Sequence, residues 1–168
     1  MATVAFILDD LFEDSEFQVP YDEVVKAGHQ ALVVGLEKGK EITGKKGSTV
    51  TVEYAVGDVD PAQVDALVIP GGYSPDKIRT DPGMVALTQK SMASSKPVAA
   101  ICHAGWMLAE ADVVRGKRVT SFHSIKTDLV NAGATWVDEE VVEDGNLITS
   151  RTPRDLPAFC SALVKQLG

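Results

Sequence analysis

The sequence predicts an α/β protein built on a doubly wound, mostly parallel sheet. Three observations lead to this fold class: continuous apolar runs recur along the chain, helical patterns separate them, and several helices carry start or stop signals. Runs that are apolar throughout are typical of strands buried on both faces of a parallel sheet. Because strands and helices alternate along one chain of 168 residues, we expect a single domain over residues 1–168.

Four apolar runs are predicted as strands. They are TVAFIL at 3–8, ALVVGL at 31–36, DALVIP at 65–70 and PVAAIC at 97–102. The segment KGKEITGKKGSTVTVEYA, between the second and third runs, predicts a small excursion of turn and strand. Towards the end of the chain, VVEDGNLITS predicts a hairpin that turns at Asp144-Gly145.

Helices are predicted at about residues 16–28, 82–95, 103–112, 124–132 and 155–167. Asp81 precedes a proline and is therefore a good N-terminal cap for the second helix. Ser124 is predicted to cap the fourth helix, and Gly133 to end it. Ser15 has the spacing of a capping box with the glutamine three residues later, whereas Pro20 predicts a kink or a later start.

Composition limits the classes of partner. Sixteen basic and twenty-four acidic residues give a net charge of −8, so we expect no nucleic-acid partner, because phosphate binding requires a basic face. The first ten residues, MATVAFILDD, contain no basic leader and predict a strand in place of a signal peptide; no membrane association is expected. Two well-separated cysteines provide no disulfide framework, which favours a cytoplasmic location.

The stretch VAAICHAGWMLA places Cys102 where a predicted strand turns into a helix. Ligands bind beyond the carboxyl ends of parallel strands, and a tight strand-to-helix corner presents the nucleophile in elbow motifs. The helix N-terminus is expected to lower the pKa of such a thiol. The alternative is a buried cysteine that packs as a small hydrophobic residue, which is our interpretation of Cys160 on its apolar helical face.

Other residues near strand ends extend this candidate site. His103 follows the thiol directly and is a candidate general base or ion-pair partner, or else a polar residue at a helix start. Gly71 and Gly72 either bring backbone N–H groups to an oxyanion or form a turn with unusual dihedral angles. The acidic loop DDLFEDSEF contains several carboxylates, and the sequence pattern does not indicate which of them faces the site. His123 follows a predicted strand and is a candidate for the rim of the site. No cluster has metal-ligand spacing, and we expect no metal or other cofactor.

Together, FEDSEF, PGGYSPD, AICHAGW and TSRTP resemble the PfpI type of the ThiJ/PfpI superfamily, which contains intracellular proteases and deglycases. The resemblance covers nearly the whole chain and implies a flavodoxin-like sheet sandwiched between helices. It implies that Cys102 is the nucleophile, with His103 beside it and Glu16 hydrogen-bonded to its sulfur. Gly72 and the backbone after Cys102 correspond to the oxyanion site.

The resemblance also implies a homo-oligomer, either a dimer or a hexamer. In hexameric members an acidic residue after the PGG loop reaches the histidine of a neighbouring subunit, and Asp76 stands at that position. Asp76 is shorter than the glutamate that some relatives carry there. A second departure is Ala104-Gly105, where many relatives have Gly-Pro after the histidine.

Three functions follow as hypotheses. The first is a stress-protective cysteine-dependent hydrolase that removes early methylglyoxal or glyoxal adducts from amines and thiols; a glutathione-independent glyoxalase acting on free methylglyoxal would use nearly the same groups. The second is an intracellular cysteine peptidase, in which His103 pairs with Asp76 on assembly. The third is a stress sensor or chaperone that acts through oxidation of Cys102 without turnover.

Overall fold

The structure is a computed structural model that describes residues 1–168. Eleven strands are present: β1 Thr3–Ile7, β2 Gln30–Gly35, β3 Glu41–Thr43, β4 Thr49–Thr51, β5 Tyr54–Ala55, β6 Ala66–Ile69, β7 Val98–Ile101, β8 Arg118–Val119, β9 Thr135–Trp136, β10 Val142–Asp144 and β11 Leu147–Ser150. The six helices are α1 Asp14–Lys26, α2 Ser74–Ile78, α3 Pro82–Ala93, α4 Gly105–Glu110, α5 Lys126–Asn131 and α6 Leu156–Leu167.

Seven strands form the central sheet, in the order β10-β11-β7-β6-β1-β2-β5. Every neighbouring pair in it is parallel except the edge pair of β10 and β11. The strands β1, β6 and β7 lie next to one another, so their carboxyl ends open on the same edge. Two small pairs, β3 with β4 and β8 with β9, stand outside this sheet.

Helices cover both faces of the sheet, because alternate strand residues point to opposite sides. In β1, Val4 and Phe6 belong to the apolar cluster that includes residues of α1 and α6. Ala5 and Ile7 belong to a second cluster, with residues of α3, α4 and α5. The predicted doubly wound, mostly parallel sheet between helices is therefore confirmed.

The four predicted strands are confirmed to within two residues at each end. The predicted excursion contains the antiparallel hairpin of β3 and β4. The second predicted hairpin joins β10 to β11 through Gly145 and Asn146, and β11 continues into the central sheet beside β7. The short helix α2 was not predicted, because five residues are too few for a periodic pattern.

The helix signals differ in their outcome. Asp81 caps α3 as predicted, since its side chain accepts hydrogen bonds from the next two backbone N–H groups of the first turn. The capping box at Ser15 is wrong, because α1 begins one residue earlier at Asp14 and runs through Pro20. The side chain of Asp14 instead accepts hydrogen bonds from backbone N–H groups of Lys46 and Ser48, which ties the start of α1 to the β3–β4 hairpin.

No helix combines the length and the apolar character that a membrane span would require. The structure also contains no group of three or more His, Cys, Asp or Glu side chains arranged to hold a metal ion.

Candidate active site

Cys102 lies at the corner between β7 and α4. Its φ angle is +64°, in the left-handed region that costs a residue with a side chain about 1–2 kcal/mol. A short 3₁₀ turn, Cys102–Ala104, separates the strand from α4, so the helix begins two residues later than predicted. Strained backbone of this kind clusters at functional sites, and it supports the elbow interpretation of this cysteine.

The residue is 9% exposed and packs in the apolar cluster on the α1 and α6 face. Even so, it lines a cavity of about 380 Å³, together with residues from five other segments: Glu13, Glu16, Lys45, Gly72, Tyr73, His103, Phe122 and Pro153. Two larger cavities lie elsewhere, one of about 660 Å³ and one of about 820 Å³, and Cys102 lines neither. The cavity of about 380 Å³ is therefore the one at which Cys102 chemistry is possible.

Glu16 is the carboxyl that enters this site. It is fully buried, and its Oε1 accepts the backbone N–H of Gly71 at 2.9 Å, while Oε2 has no hydrogen-bond partner among the protein's nitrogen and oxygen donors. Burial, and next the neighbouring charge of Glu13, raise its pKa to about 8. Glu16 is therefore largely protonated at neutral pH, while a hydrogen bond from the thiol of Cys102 acts weakly in the opposite direction and lowers its pKa.

Gly71 and Gly72 have different tasks. A Cβ on Gly71 would lie 2.5 Å from Oε1 of Glu16 and 2.8 Å from Cβ of Cys102, so no side chain fits there. The N–H of Gly71 is bonded to Glu16, and the oxyanion role of this glycine stays a prediction. Gly72 has a φ of +79°, and a Cβ there would lie 2.5 Å from the carbonyl oxygen of Leu11.

Different groups raise and lower the pKa of the Cys102 thiol. Burial, and next the charge of Glu16, raise the pKa of the thiol to about 12. Backbone N–H groups of His103 and Gly72, and then the charge of Lys45, act in the other direction. The expectation of a lowered thiol pKa is thus wrong, because burial outweighs the donors at the elbow. Below about pH 8 Glu16 is neutral, and its charge no longer opposes the thiolate.

The imidazole of His103 lies beside this thiol. Its Nδ1 lies 3.2 Å from Sγ of Cys102, and its Nε2 lies 3.2 Å from Oγ of Ser124. One face of its ring stacks on Phe122 at 4.8 Å between centroids, and Trp106 packs against it at 5.1 Å.

The charge state of His103 follows from its surroundings. Burial, and next the positive charges of Lys45 and His123, lower its pKa below the ordinary value of 6.5. The ring is therefore neutral at pH 7, with one nitrogen free to accept a proton.

Sequence reasoning missed several residues of the site, and two of them, Lys45 and Ser124, bear polar groups beside the thiol or His103. The Nζ of Lys45 lies 3.3 Å from Oε2 of Glu13 and 5.3 Å from the ring centroid of Tyr73, at the tip of the β3–β4 hairpin. The only signal was the GKKG turn, which does not reveal that the hairpin folds over the acidic loop. Ser124 makes no cap hydrogen bond, so its predicted capping role is wrong, and its side chain faces His103.

Asp76 is exposed on α2; its backbone N–H donates to the carbonyl of Tyr73, but its side chain makes no hydrogen bond or ion pair within the chain. The structure does not bring it to His103 of the same chain, and its contact with a neighbouring subunit stays a prediction. The ring of His123 packs at a tilt against Phe122, 4.4 Å between centroids, and lines the polar cavity of about 660 Å³, not the cavity at Cys102; its rim position stays a prediction.

Fold and site together define an α/β protein with a cysteine at a strand-to-helix elbow, between a buried protonated glutamate and a neutral histidine. Residues 2–166 match the DJ-1/PfpI family, and the chain belongs to this family. The resemblance drawn from the four sequence motifs is thereby confirmed.

Relatives of known name cover almost the whole chain. Protein/nucleic acid deglycase 2 of Escherichia coli K12 is 47% identical over 167 residues, which span 98% of this chain and 97% of that protein. A deglycase of Pyrococcus abyssi is 45% identical over 98% of both chains. Among solved structures, a two-domain protein of Anabaena variabilis with DJ-1/ThiJ/PfpI-like and ferritin-like domains superposes with a TM-score of 0.98 at 40% identity. That match covers 100% of this chain and 48% of the other.

Proposed function

We propose that this chain is a cysteine-dependent deglycase that hydrolyses early methylglyoxal or glyoxal adducts of amines and thiols. The carrying observation is the thiol of Cys102 with a neutral base at 3.2 Å, Nδ1 of His103, and a buried acid, Glu16, that lines the same cavity. Two relatives named as deglycases, with identities of 47% and 45%, support the substrate class.

The geometry supports a reaction in which atoms balance at each step. Nδ1 of His103 accepts the thiol proton while Sγ of Cys102 attacks the adduct carbon that carries the nitrogen or sulfur of the modified group. The bond to that group breaks, and the amine or thiol leaves with the proton from His103. A hemithioacetal then remains on Cys102.

The hemithioacetal becomes a thioester in two proton exchanges with Glu16. Protonated Glu16 first gives its proton to the adjacent carbonyl oxygen and takes the proton of the hemithioacetal carbon, which leaves an enediol. It then gives a proton to the former carbonyl carbon and takes the hydroxyl proton of the first carbon, so that the thioester forms and Glu16 is again protonated. This step needs a group beside the sulfur that both gives and takes a proton, and a pKa of about 8 suits Glu16 to it. Water then hydrolyses the thioester, which restores the thiol and releases the hydroxy acid, lactate from methylglyoxal. Free methylglyoxal enters at the hemithioacetal, so glyoxalase activity is the second candidate on the same groups.

Two other hypotheses receive less support. A peptidase needs a cleft for an extended chain, whereas the thiol opens into about 380 Å³ and no carboxylate of this chain orients His103. A redox sensor needs an easily ionised thiol, whereas burial raises the pKa of Cys102. The nucleic acid in the name of the E. coli relative is not carried over, because the net charge here is −8.

The test follows lactate and released amine from a preformed methylglyoxal adduct of N-acetyllysine, and lactate from free methylglyoxal in amine-free buffer. We expect Cys102→Ala to abolish both activities and Cys160→Ala, the matched control in α6, to keep them. Amine release faster than spontaneous dissociation of the adduct establishes direct deglycation, while release at the spontaneous rate assigns the enzyme to the free aldehyde. Undiminished lactate in Cys102→Ala, or none from the wild type, overturns the proposal.

A further inference from the structure

Ser124 occupies the side of His103 opposite the thiol. Its Oγ lies 3.2 Å from Nε2, while Nδ1 of the same ring lies 3.2 Å from Sγ of Cys102. Both ring nitrogens of the proposed base therefore have a partner within one chain. Nothing in the sequence pattern had suggested this role, since Ser124 had the position of a helix cap.

The segment that carries Ser124 is attached to the elbow itself. The backbone N–H of Phe122, two residues before Ser124, donates to the carbonyl of Cys102 at 3.2 Å. The ring of the same Phe122 stacks on His103. Trp106, whose ring is tilted by 58° to His103, is fixed by the hydrogen bond from its Nε1 to Oδ2 of Asp128 at 2.9 Å. Two aromatic contacts thus hold the imidazole, and Ser124 contacts its Nε2 edge.

The contact between Oγ of Ser124 and Nε2 of His103 affects how readily the ring accepts a proton. For Nδ1 to receive the thiol proton, it must be the unprotonated nitrogen of a neutral ring, so Nε2 must carry the hydrogen. When Nδ1 has taken the proton, both nitrogens of the imidazolium are donors, and Nε2–H needs an acceptor. The hydroxyl of Ser124 is the acceptor in place, and positive charge on Lys45 or on His123 would oppose the imidazolium.

We propose that Ser124 is a positioning residue: its Oγ accepts the Nε2–H of His103 and stabilises the imidazolium formed when Nδ1 takes the proton of Cys102. Its catalytic meaning rests on the proposed function. The result is a Cys–His–Ser arrangement that is complete within one chain. Ser124 thereby fills the place that the family resemblance assigns to Asp76 of a neighbouring subunit.

The first test needs no turnover. The rate at which iodoacetamide alkylates Cys102 is measured by peptide mass spectrometry from pH 6 to pH 9, and the pKa of His103 is followed by NMR. We expect Ser124→Ala to slow alkylation at neutral pH about 3- to 10-fold, the effect of one lost hydrogen bond, and to lower the pKa of His103 further. Ser124→Thr keeps the hydroxyl and should stay within about twofold of the wild type.

Two further variants make the result specific. Ser161→Ala, at an exposed serine of α6 without a side-chain hydrogen bond, is the matched control and should change neither readout. If Ser124→Ala leaves the alkylation rate and the pKa of His103 unchanged, the proposal is wrong. If Asp76→Asn moves the pKa of His103 and Ser124→Ala does not, the proposal is also wrong, and a neighbouring carboxylate is the partner of the imidazole.

A separate measurement links Ser124 to turnover. In the lactate assay, Ser124→Ala should lower kcat with KM unchanged, because the hydroxyl contacts His103 and not the substrate. If the wild type forms no lactate, the proposed function fails while the alkylation and NMR results still decide the role of Ser124. A fall in stability without a change in the pKa of His103 would reduce Ser124 to a structural residue and overturn the proposal.

Discussion

Glu16→Gln tests the electrostatics of the site through the pH dependence of stability. Glutamine keeps an oxygen that can accept the N–H of Gly71, but it carries no ionisable proton. In the wild type the pKa of Glu16 is raised from its ordinary value of 4.5 to about 8, with burial as the largest cause. The folded chain is therefore favoured while Glu16 is protonated, and this contribution is full below pH 4.5 and is lost as the pH rises to about 8.

The size of the effect on the free energy of unfolding follows from the difference between the pKa of Glu16 in the folded chain and its ordinary value. At about 1.4 kcal/mol for each pH unit, ionising Glu16 in the folded chain costs about 4 kcal/mol of unfolding free energy between pH 5 and pH 9. Glu16→Gln avoids this cost at every pH. The variant should therefore gain about 4 kcal/mol relative to the wild type over this interval, whatever the two stabilities are at pH 5.

The assay is urea unfolding of both proteins at pH 5, 7 and 9. Glu23→Gln serves as the matched control, because it removes a carboxylate from the same helix away from the thiol. Turnover should fall about 100-fold or more in Glu16→Gln, since the group that relays the proton is gone. A difference in unfolding free energy that stays constant at all three pH values would refute the reasoning, because Glu16 would then ionise as readily in the folded chain as in the unfolded one.

Three further predictions concern the groups around the thiol. Lys45→Met should slow the alkylation of Cys102 about 2- to 5-fold by removing a charge that favours the thiolate, and an equal effect of Lys46→Met, which does not line the cavity, would contradict this. Gly72→Ala should lower the free energy of unfolding by at least about 3 kcal/mol, because its Cβ meets backbone atoms in addition to the strain of a positive φ. Gly145→Ala, which has the strain alone, is the control and should cost about 1–2 kcal/mol. Equal costs of the two variants in urea titrations would contradict this prediction. Cys102→Gly should have a free energy of unfolding about 1 kcal/mol higher than Cys102→Ala in urea titrations, because glycine adopts a positive φ without strain. The reverse order would show that the φ of +64° stores no strain.

The position of the site was predictable from the sequence because it follows from strand ends. The apolar runs that became β6 and β7 end directly before Gly71 and Cys102, and the ends of neighbouring parallel strands meet at one edge of a sheet. The roles of Cys102 and His103 followed from this placement. The choice of Glu16 among five carboxylates of its loop came from the family resemblance, because its contact with Gly71 joins segments 55 residues apart in the chain.

Other features depend on contacts that no local pattern contains. Lys45 reaches the cavity because the hairpin is bonded both to Asp14 and to the backbone of the acidic loop, and Ser124 meets His103 because its loop is bonded to the elbow. The raised pKa of Cys102 also depends on contacts between segments that are distant in the sequence. The strand-to-helix pattern predicts donors for the sulfur, but its burial against the α1 and α6 face is a tertiary property that outweighs them.

The central claim is that one thiol, Cys102, carries the reaction, and stoichiometric alkylation tests it most directly. The protein is treated with increasing iodoacetamide, the modified fraction of each of its two cysteines is measured by peptide mass spectrometry, and lactate formation is measured on the same samples. We predict that the remaining activity equals the unmodified fraction of Cys102 at every point and is independent of Cys160. Activity that persists when Cys102 is fully alkylated, or that follows Cys160, would contradict the account.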